Sequence, residues 1–243
     1  MSHRAFPVVI LAGGLATRLR PMTQSIPKSL ILINGEPFIN HQLRLLYQRG
    51  IREVLLCVGY LGEMIQKDVG NGQQFGLNVE YSFDGPSLLG TAGALRHALP
   101  LLKEEFFVMY GDSYLPCNYL SIQESFCVSS HSALMTVFHN AGQWDASNVE
   151  YVNDEILDYS KEHLTQRMHH IDYGLGILTK KSLLELPDAQ PYDLAYLYQK
   201  ILNNKQLAAY EVKNRFYEIG SLEGIRALVD YLKEDQICDL INN

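Results

Sequence analysis

The stretch that most constrains this chain of 243 residues is Val8 to Lys28, VVILAGGLATRLRPMTQSIPK. It opens on four consecutive apolar residues, Val8, Val9, Ile10 and Leu11. A strand built from them has no polar face and suits the interior of a parallel sheet covered on both sides. Gly13 and Gly14 follow, where the backbone can take positive φ and bring bare amides close to a ligand. Arg18 and Arg20 come next, then Lys28 just after Pro27. A buried strand, a glycine turn and fixed cations make a site for nucleotide phosphates. The same residues fit an ordinary turn with solvated arginines, because glycine-rich turns are common. The spacing is neither that of a Walker loop nor that of the dinucleotide fingerprint.

Further along, SLILINGEPFI reads as a strand with a tight turn at Asn34-Gly35. Ile39 to Arg49 carries a helical apolar stripe that Gly50 is placed to end. Core strands are expected within Arg52–Tyr60 and Phe106–Tyr110, a strand at LNVEYSF, and helices at LGEMIQKDVGNG and Thr91–Leu102. This alternation predicts a doubly wound α/β sheet with ligands at the carboxyl ends of its strands, where both Gly13-Gly14 and Gly111-Asp112 fall. The second half is less regular. Short strands are expected at SALMTVFH, VEYV, EILDYS, Ile171–Thr179 and Leu207–Ile219, with helices at Asp193–Asn203 and Leu222–Leu232. With no repeat or Pro/Gly/Ser-rich linker, residues 1–243 read as one domain, 1–112 forming a nucleotide half and 113–243 a less regular half with a C-terminal helix.

The hydrophobic fraction of 47% and charged fraction of 19% suit a globular protein. The net charge of −7 argues against nucleic-acid or anionic-membrane partners, though a local cationic pocket can still hold a nucleotide. Cys57, Cys117, Cys127 and Cys238 form no C-x-x-C pair and read as reduced thiols rather than a zinc site. The expectation is a cytoplasmic protein, since no apolar run suits a signal peptide or a membrane span. A homo-oligomer is left open.

The string LAGGLATRLRPMTQSIPKSLILINGEPFI resembles the signature of the sugar-1-phosphate nucleotidylyltransferases, L-A-G-G-x-x-T-R-L-x-P-x-T followed by P-K and a segment ending in G-x-P. The resemblance covers nearly the whole chain, loosens after residue 112, and is to short members lacking an added β-helix or acyltransferase domain. It implies a Rossmann-like mixed sheet flanked by helices. The implied reaction joins an NTP to a sugar 1-phosphate, releasing pyrophosphate, with Mg²⁺ as cofactor. The sugar phosphate is already ionised, so the protein must align two anions and neutralise charge rather than supply a base.

On this resemblance Arg18 meets the β- and γ-phosphates, Lys28 lies near the α-phosphate or sugar phosphate, and Asp112, from the strand-terminal G-D, binds Mg²⁺. Leu11, Ala12, Gly13 and Gly14 take the nucleotide. So does the L-G-T-A-G loop, where Gly90 and Gly93 admit the base and ribose and Thr91 adds a hydroxyl. Arg20 reads equally as a contact or as solvated. The family's second metal aspartate, in D-x-G, is replaced here by Glu218 in RFYEIGSLEG, which leaves a metal ligand or a structural residue open. Lys161 in DYSKE resembles the lysine that grips the sugar phosphate. Asp172 and Gly174 in HHIDYGLGIL stand where family members carry N-x-G and read sugar hydroxyls. His169 and His170 lack metal spacing to a third ligand and read as structural or rim residues. A guanylyl- or uridylyltransferase is implied first. A cytidylyltransferase for a phosphate such as phosphocholine, or a non-catalytic nucleotide-binding regulatory subunit, are the alternatives.

Overall fold

The computed structural model describes residues 4–14, 19, 21, 23–184, 186 and 191–241, with side chains as far as 234. Arg18 and Arg20 lie outside the described residues. The first half runs β1 (Val8–Leu11), β2 (Leu32–Ile33), β3 (Glu36–Pro37), α1 (Phe38–Gln48), β4 (Glu53–Val58), α2 (Gly62–Val69), β5 (Asn78–Phe83), α3 (Gly90–His97) and β6 (Glu105–Tyr110). The second runs β7 (Ser113–Tyr114), α4 (Tyr119–Ser129), β8 (Ala133–His139), β9 (Val149–Val152), β10 (Glu155–Tyr159), β11 (His170–Thr179), α5 (Lys180–Leu184), α6 (Leu194–Asn203), β12 (Leu207–Val212), β13 (Tyr217–Glu218) and α7 (Leu222–Ile241).

In the main sheet β5, β4, β1 and β6 are parallel neighbours in that order. β11 joins antiparallel to β6, β8 antiparallel to β11, and β12 parallel to β8. The β9–β10 hairpin is attached at the start of β11. The chain therefore leaves β1 for β4 and β5 on one side and returns to its other side with β6. That reversal opens a crevice beyond the carboxyl ends of β1 and β6. The alternation of β1 is visible in the core. Val8 and Ile10 pack with α1, α2 and α4 on one face, while Val9 and Leu11 pack with α3 and α6 on the other. An uninterrupted apolar run was needed because both faces are covered.

The hairpin β2–β3 turns at Asn34 and Gly35 with φ of 50° and 83°, the handedness a two-residue hairpin requires. The strands expected within Leu207–Ile219 are present as β12 and β13, the second pairing with β7. Three features differ from the sequence expectation. The helix expected over Thr91–Leu102 ends at His97 and gives way to a 3₁₀ turn at Leu99–Leu101, because Pro100 lacks an amide proton. The last helix continues past Leu232 to Ile241. Helix α4 was not foreseen, although Asn118 caps it by accepting the Ser121 amide at 3.2 Å. No helix among the described residues is long and apolar enough to cross a membrane.

Candidate active site

The β1 and β6 ends are tied by the Gly111 amide, which donates to the Leu11 carbonyl at 2.9 Å. A cavity of about 250 Å³ opens beside them. Its walls include Leu11, Ala12, Gly13 and Gly14 after β1, Gly90 and Thr91 at the start of α3, and Lys28, Tyr110 and Asp112. Of the nine described residues that the sequence pointed to on the nucleotide side, all but Gly93 thus meet in one place.

Lys28 opens a 3₁₀ turn after Pro27, and its Nζ lies 2.7 Å from Asp112 Oδ2. Among the described residues, Asp112 Oδ1 has only a 3.5 Å contact with Ser113 Oγ. Non-local pairing delivers Glu218 to the same place. β13 runs antiparallel to β7 with Glu218 opposite Ser113, and the Ile219 amide donates to the Asp112 carbonyl at 3.0 Å. The Glu218 carboxylate folds back over its own turn, accepting from the Gly220 amide and from Ser221 Oγ, the latter at 2.6 Å. A Cβ placed on Gly220 would lie 3.2 Å from Lys28 Nζ, so lysine and glutamate flank one spot.

The L-G-T-A-G loop is organised differently from the sequence expectation. Gly90 has φ +70°, and a Cβ there would come within 2.6 Å of the Tyr192 carbonyl oxygen. The Ala92 and Gly93 amides donate to that carbonyl at 2.9 and 3.3 Å, and Thr91 Oγ1 accepts from the Leu194 amide at 2.6 Å. The glycine and threonine therefore dock the chain entering α6. Gly90 and Thr91 also line the cavity, whereas Gly93 does not.

Sequence reasoning passed over Asp84, the residue after β5, which lines the same cavity. Its Oδ2 would be 3.1 Å from a Cβ on Gly13 and 3.2 Å from one on Gly59, so it stands directly over bare backbone. Burial raises its pKa, opposed by the Leu89 amide and the charge of His97. A carboxylate straight after a strand was the available signal.

Among the residues expected to meet the sugar, Asp172 Oδ2 accepts from the Tyr159 hydroxyl at 3.2 Å and Oδ1 from the Gly174 amide at 3.0 Å. Burial raises its pKa, with Lys161 the main opposing influence. Lys161 Nζ donates to the Tyr110 hydroxyl at 3.2 Å and lies 3.5 Å from Asp193 Oδ1. Tyr110 also lines the cavity beside β1 and β6, so Lys161 lies next to it. His170 packs edge-on against His139 and Tyr151, with Nε2 3.5 Å from Glu211.

A crevice at the strand reversal, with cations and carboxylates gathered on a glycine turn, is the architecture of an enzyme that handles nucleotide phosphates. Residues 7–151 match the model of the nucleotidyl transferase family, and the chain belongs to that family, in its sugar-1-phosphate branch. It is 26% identical over 236 residues to D-glycero-alpha-D-manno-heptose 1-phosphate guanylyltransferase of Campylobacter jejuni, covering 97% of this chain and 99% of that one. It is 28% identical over 225 residues to mannose-1-phosphate guanyltransferase 2 of Candida glabrata, covering 87% of this chain and 60% of that one. Over 105 residues it is 39% identical to N-acetylmuramate alpha-1-phosphate uridylyltransferase of Neisseria meningitidis, or 43% and 46% of the two chains. Its fold matches HddC of Yersinia pseudotuberculosis with a TM-score of 0.78 at 23% identity, covering 93% and 99% of the chains. The protein is a nucleotidyltransferase that joins an NTP and a sugar 1-phosphate with release of pyrophosphate.

Proposed function

We propose that the donor is GTP and that the product is a GDP-sugar. The observation that carries this reading is the Asp84 carboxylate on the cavity wall over Gly13 and Gly59. Guanine alone among the four bases offers two adjacent N–H donors, on N1 and N2, and a carboxylate accepts such a fork with both oxygens. Uracil presents one N–H between two acceptors, and adenine and cytosine an amino group beside an acceptor nitrogen, so each meets the carboxylate with a repulsive contact. Two of the relatives above bear the name of a guanylyltransferase or guanyltransferase, in agreement with this.

In the reaction, Gly13 and Gly14 offer backbone amides to the phosphates. Lys28 neutralises charge at the α-phosphate, and Arg18 is assigned to the departing pyrophosphate. Lys161 holds the acceptor phosphate while Asp172 and Gly174 receive the sugar. The acceptor phosphate is anionic at neutral pH, so in-line attack needs alignment and no proton acceptor. Asp112, with Oδ1 nearly unpartnered, and Glu218, whose oxygens each keep a spare lone pair, form the hard oxygen set that suits Mg²⁺. Bound there, the ion would neutralise charge on the phosphates. A donor drawn from the nucleoside triphosphate pool fits a cytoplasmic enzyme.

The test is pyrophosphate release with each NTP and a panel of sugar 1-phosphates. GTP should be preferred, and Asp84→Asn should lower kcat/KM for GTP by roughly 10- to 150-fold, the worth of a charge-assisted hydrogen bond of about 1.5–3 kcal/mol. A wild-type preference for UTP or CTP would overturn the assignment.

A further inference from the structure

Arg215, three residues before Glu218, is a cation that the assigned site leaves unused. Its guanidinium lies between two aromatic rings, with Cζ 4.6 Å from the Trp144 centroid and 4.9 Å from that of Tyr217. Both rings are backed. Trp144 leans on Phe138 at 5.6 Å, and Tyr217 stacks on Tyr231 at 4.4 Å. The loop carrying Trp144 is pinned by Asn140, which donates to the Asp145 carbonyl at 2.6 Å and accepts the Trp144 amide at 3.3 Å.

Against this investment in position, Arg215 Nε is buried, and among the described residues it has no hydrogen-bond partner and no carboxylate lies within 4.0 Å of the guanidinium. Stacking occupies the faces of a guanidinium and leaves its in-plane donors free. A buried N–H without an acceptor is costly, and an oxyanion in the plane removes that cost. The location points to the acceptor. Val212 at the end of β12 is level with Phe138 of β8, and Phe138 with Ile171 of β11, so the chain leaves β12 for Arg215 at the end of the sheet where Asp172 lies. Three residues span at most about 10 Å, so Arg215 borders the site that Glu218 enters.

We propose that Arg215 binds an oxyanion that the acceptor carries besides its 1-phosphate, a carboxylate or a second phosphate on the sugar. This deepens the sugar-1-phosphate reading and rests on it. The acidic acceptor is held at both ends, by Lys161 at the reacting phosphate and by Arg215 at the far substituent.

The experiment measures KM for three matched pairs of acceptors: glucose 1-phosphate against glucuronic acid 1-phosphate, glucose 1-phosphate against glucose 1,6-bisphosphate, and N-acetylglucosamine 1-phosphate against N-acetylmuramic acid 1-phosphate. At least one acidic member should show a KM roughly 10- to 100-fold below its neutral partner. Arg215→Met, which keeps the packing volume, should erase that preference without changing KM for GTP. Arg215→Lys should keep part of it. Equal KM within all three wild-type pairs overturns the proposal. So does an equal rise for both members in Arg215→Met, which would make the arginine a packing residue. Failure to turn over every acceptor with every NTP would instead sink the sugar-phosphate reading on which the proposal stands.

Discussion

Replacing Lys28 by Met separates a structural ion pair from a catalytic cation. Lys28 Nζ and Asp112 Oδ2 are 2.7 Å apart, with the side chains 16% and 33% exposed. Such a partly exposed pair is screened, and its loss should cost about 1 kcal/mol of stability, or roughly 2–4 °C in Tm for a chain of this size. The cost in rate is larger. A unit charge about 4 Å from a phosphoryl group is worth about 4 kcal/mol at an effective dielectric constant of about 20. Losing it corresponds to roughly 10³ in kcat/KM. Pyrophosphate release under kcat/KM conditions, with Tm followed by calorimetry, should therefore show a small thermal shift and a drop of two to three orders of magnitude in activity. The double variant Lys28→Met/Asp112→Asn removes the stranded carboxylate, and it should recover the Tm but none of the rate. Activity within fivefold of wild type for Lys28→Met, or rescue of the rate in the double variant, would refute the assignment of Lys28 to the phosphates.

Two further outcomes follow from local geometry. Gly90→Ala forces a side chain into φ +70° against the Tyr192 carbonyl, so it should destabilise the protein by about 2 kcal/mol or more and weaken nucleotide binding, read by melting with and without GTP. Burial is the leading cause lowering the His170 pKa below 6.5, aided by His139 and opposed by Glu211. The unfolded chain thus binds the extra proton first, and stability should fall as pH drops below about 6.5; His170→Gln should flatten that slope in urea titrations across pH 5–7.

What could be read in advance depended on how local the determining physics is. β1, β4 and β6 announce themselves as apolar runs because sheet burial acts on every residue of the strand. The Asn34-Gly35 hairpin is equally local, since the turn chemistry sits in two residues. Helix α4 escaped because Leu120 and Val128 are exposed while Gln123 is buried, which blurs its stripe; the cap at Asn118 was the surviving signal. In the site, Lys28 and Asp112 were legible through a spaced motif. The partnership of Thr91 with Leu194 was not, since it spans 103 positions in the chain. Asp84 gains its meaning only from the register of β5 beside β4, which brings it over Gly59.

The resemblance places Glu218 where an aspartate is expected, and the structure shows how the longer side chain is accommodated. A glutamate reaches one methylene further than the expected aspartate, and the strand pairing fixes its backbone opposite Ser113. The added length is therefore taken up by turning the carboxylate back onto the start of α7, where the Gly220 amide and the Ser221 hydroxyl receive it. That fold-back needs room. A Cβ on Gly220 would stand 2.5 Å from Glu218 Oε2, and one on Gly224 would collide with both Oε1 and the Glu218 carbonyl. Glu218, Gly220 and Gly224 thus form one unit in E-I-G-S-L-E-G, and the free amides of the helix start favour its negative charge. The longer acid keeps a charged oxygen beside Lys28 because two neighbouring positions carry no side chain.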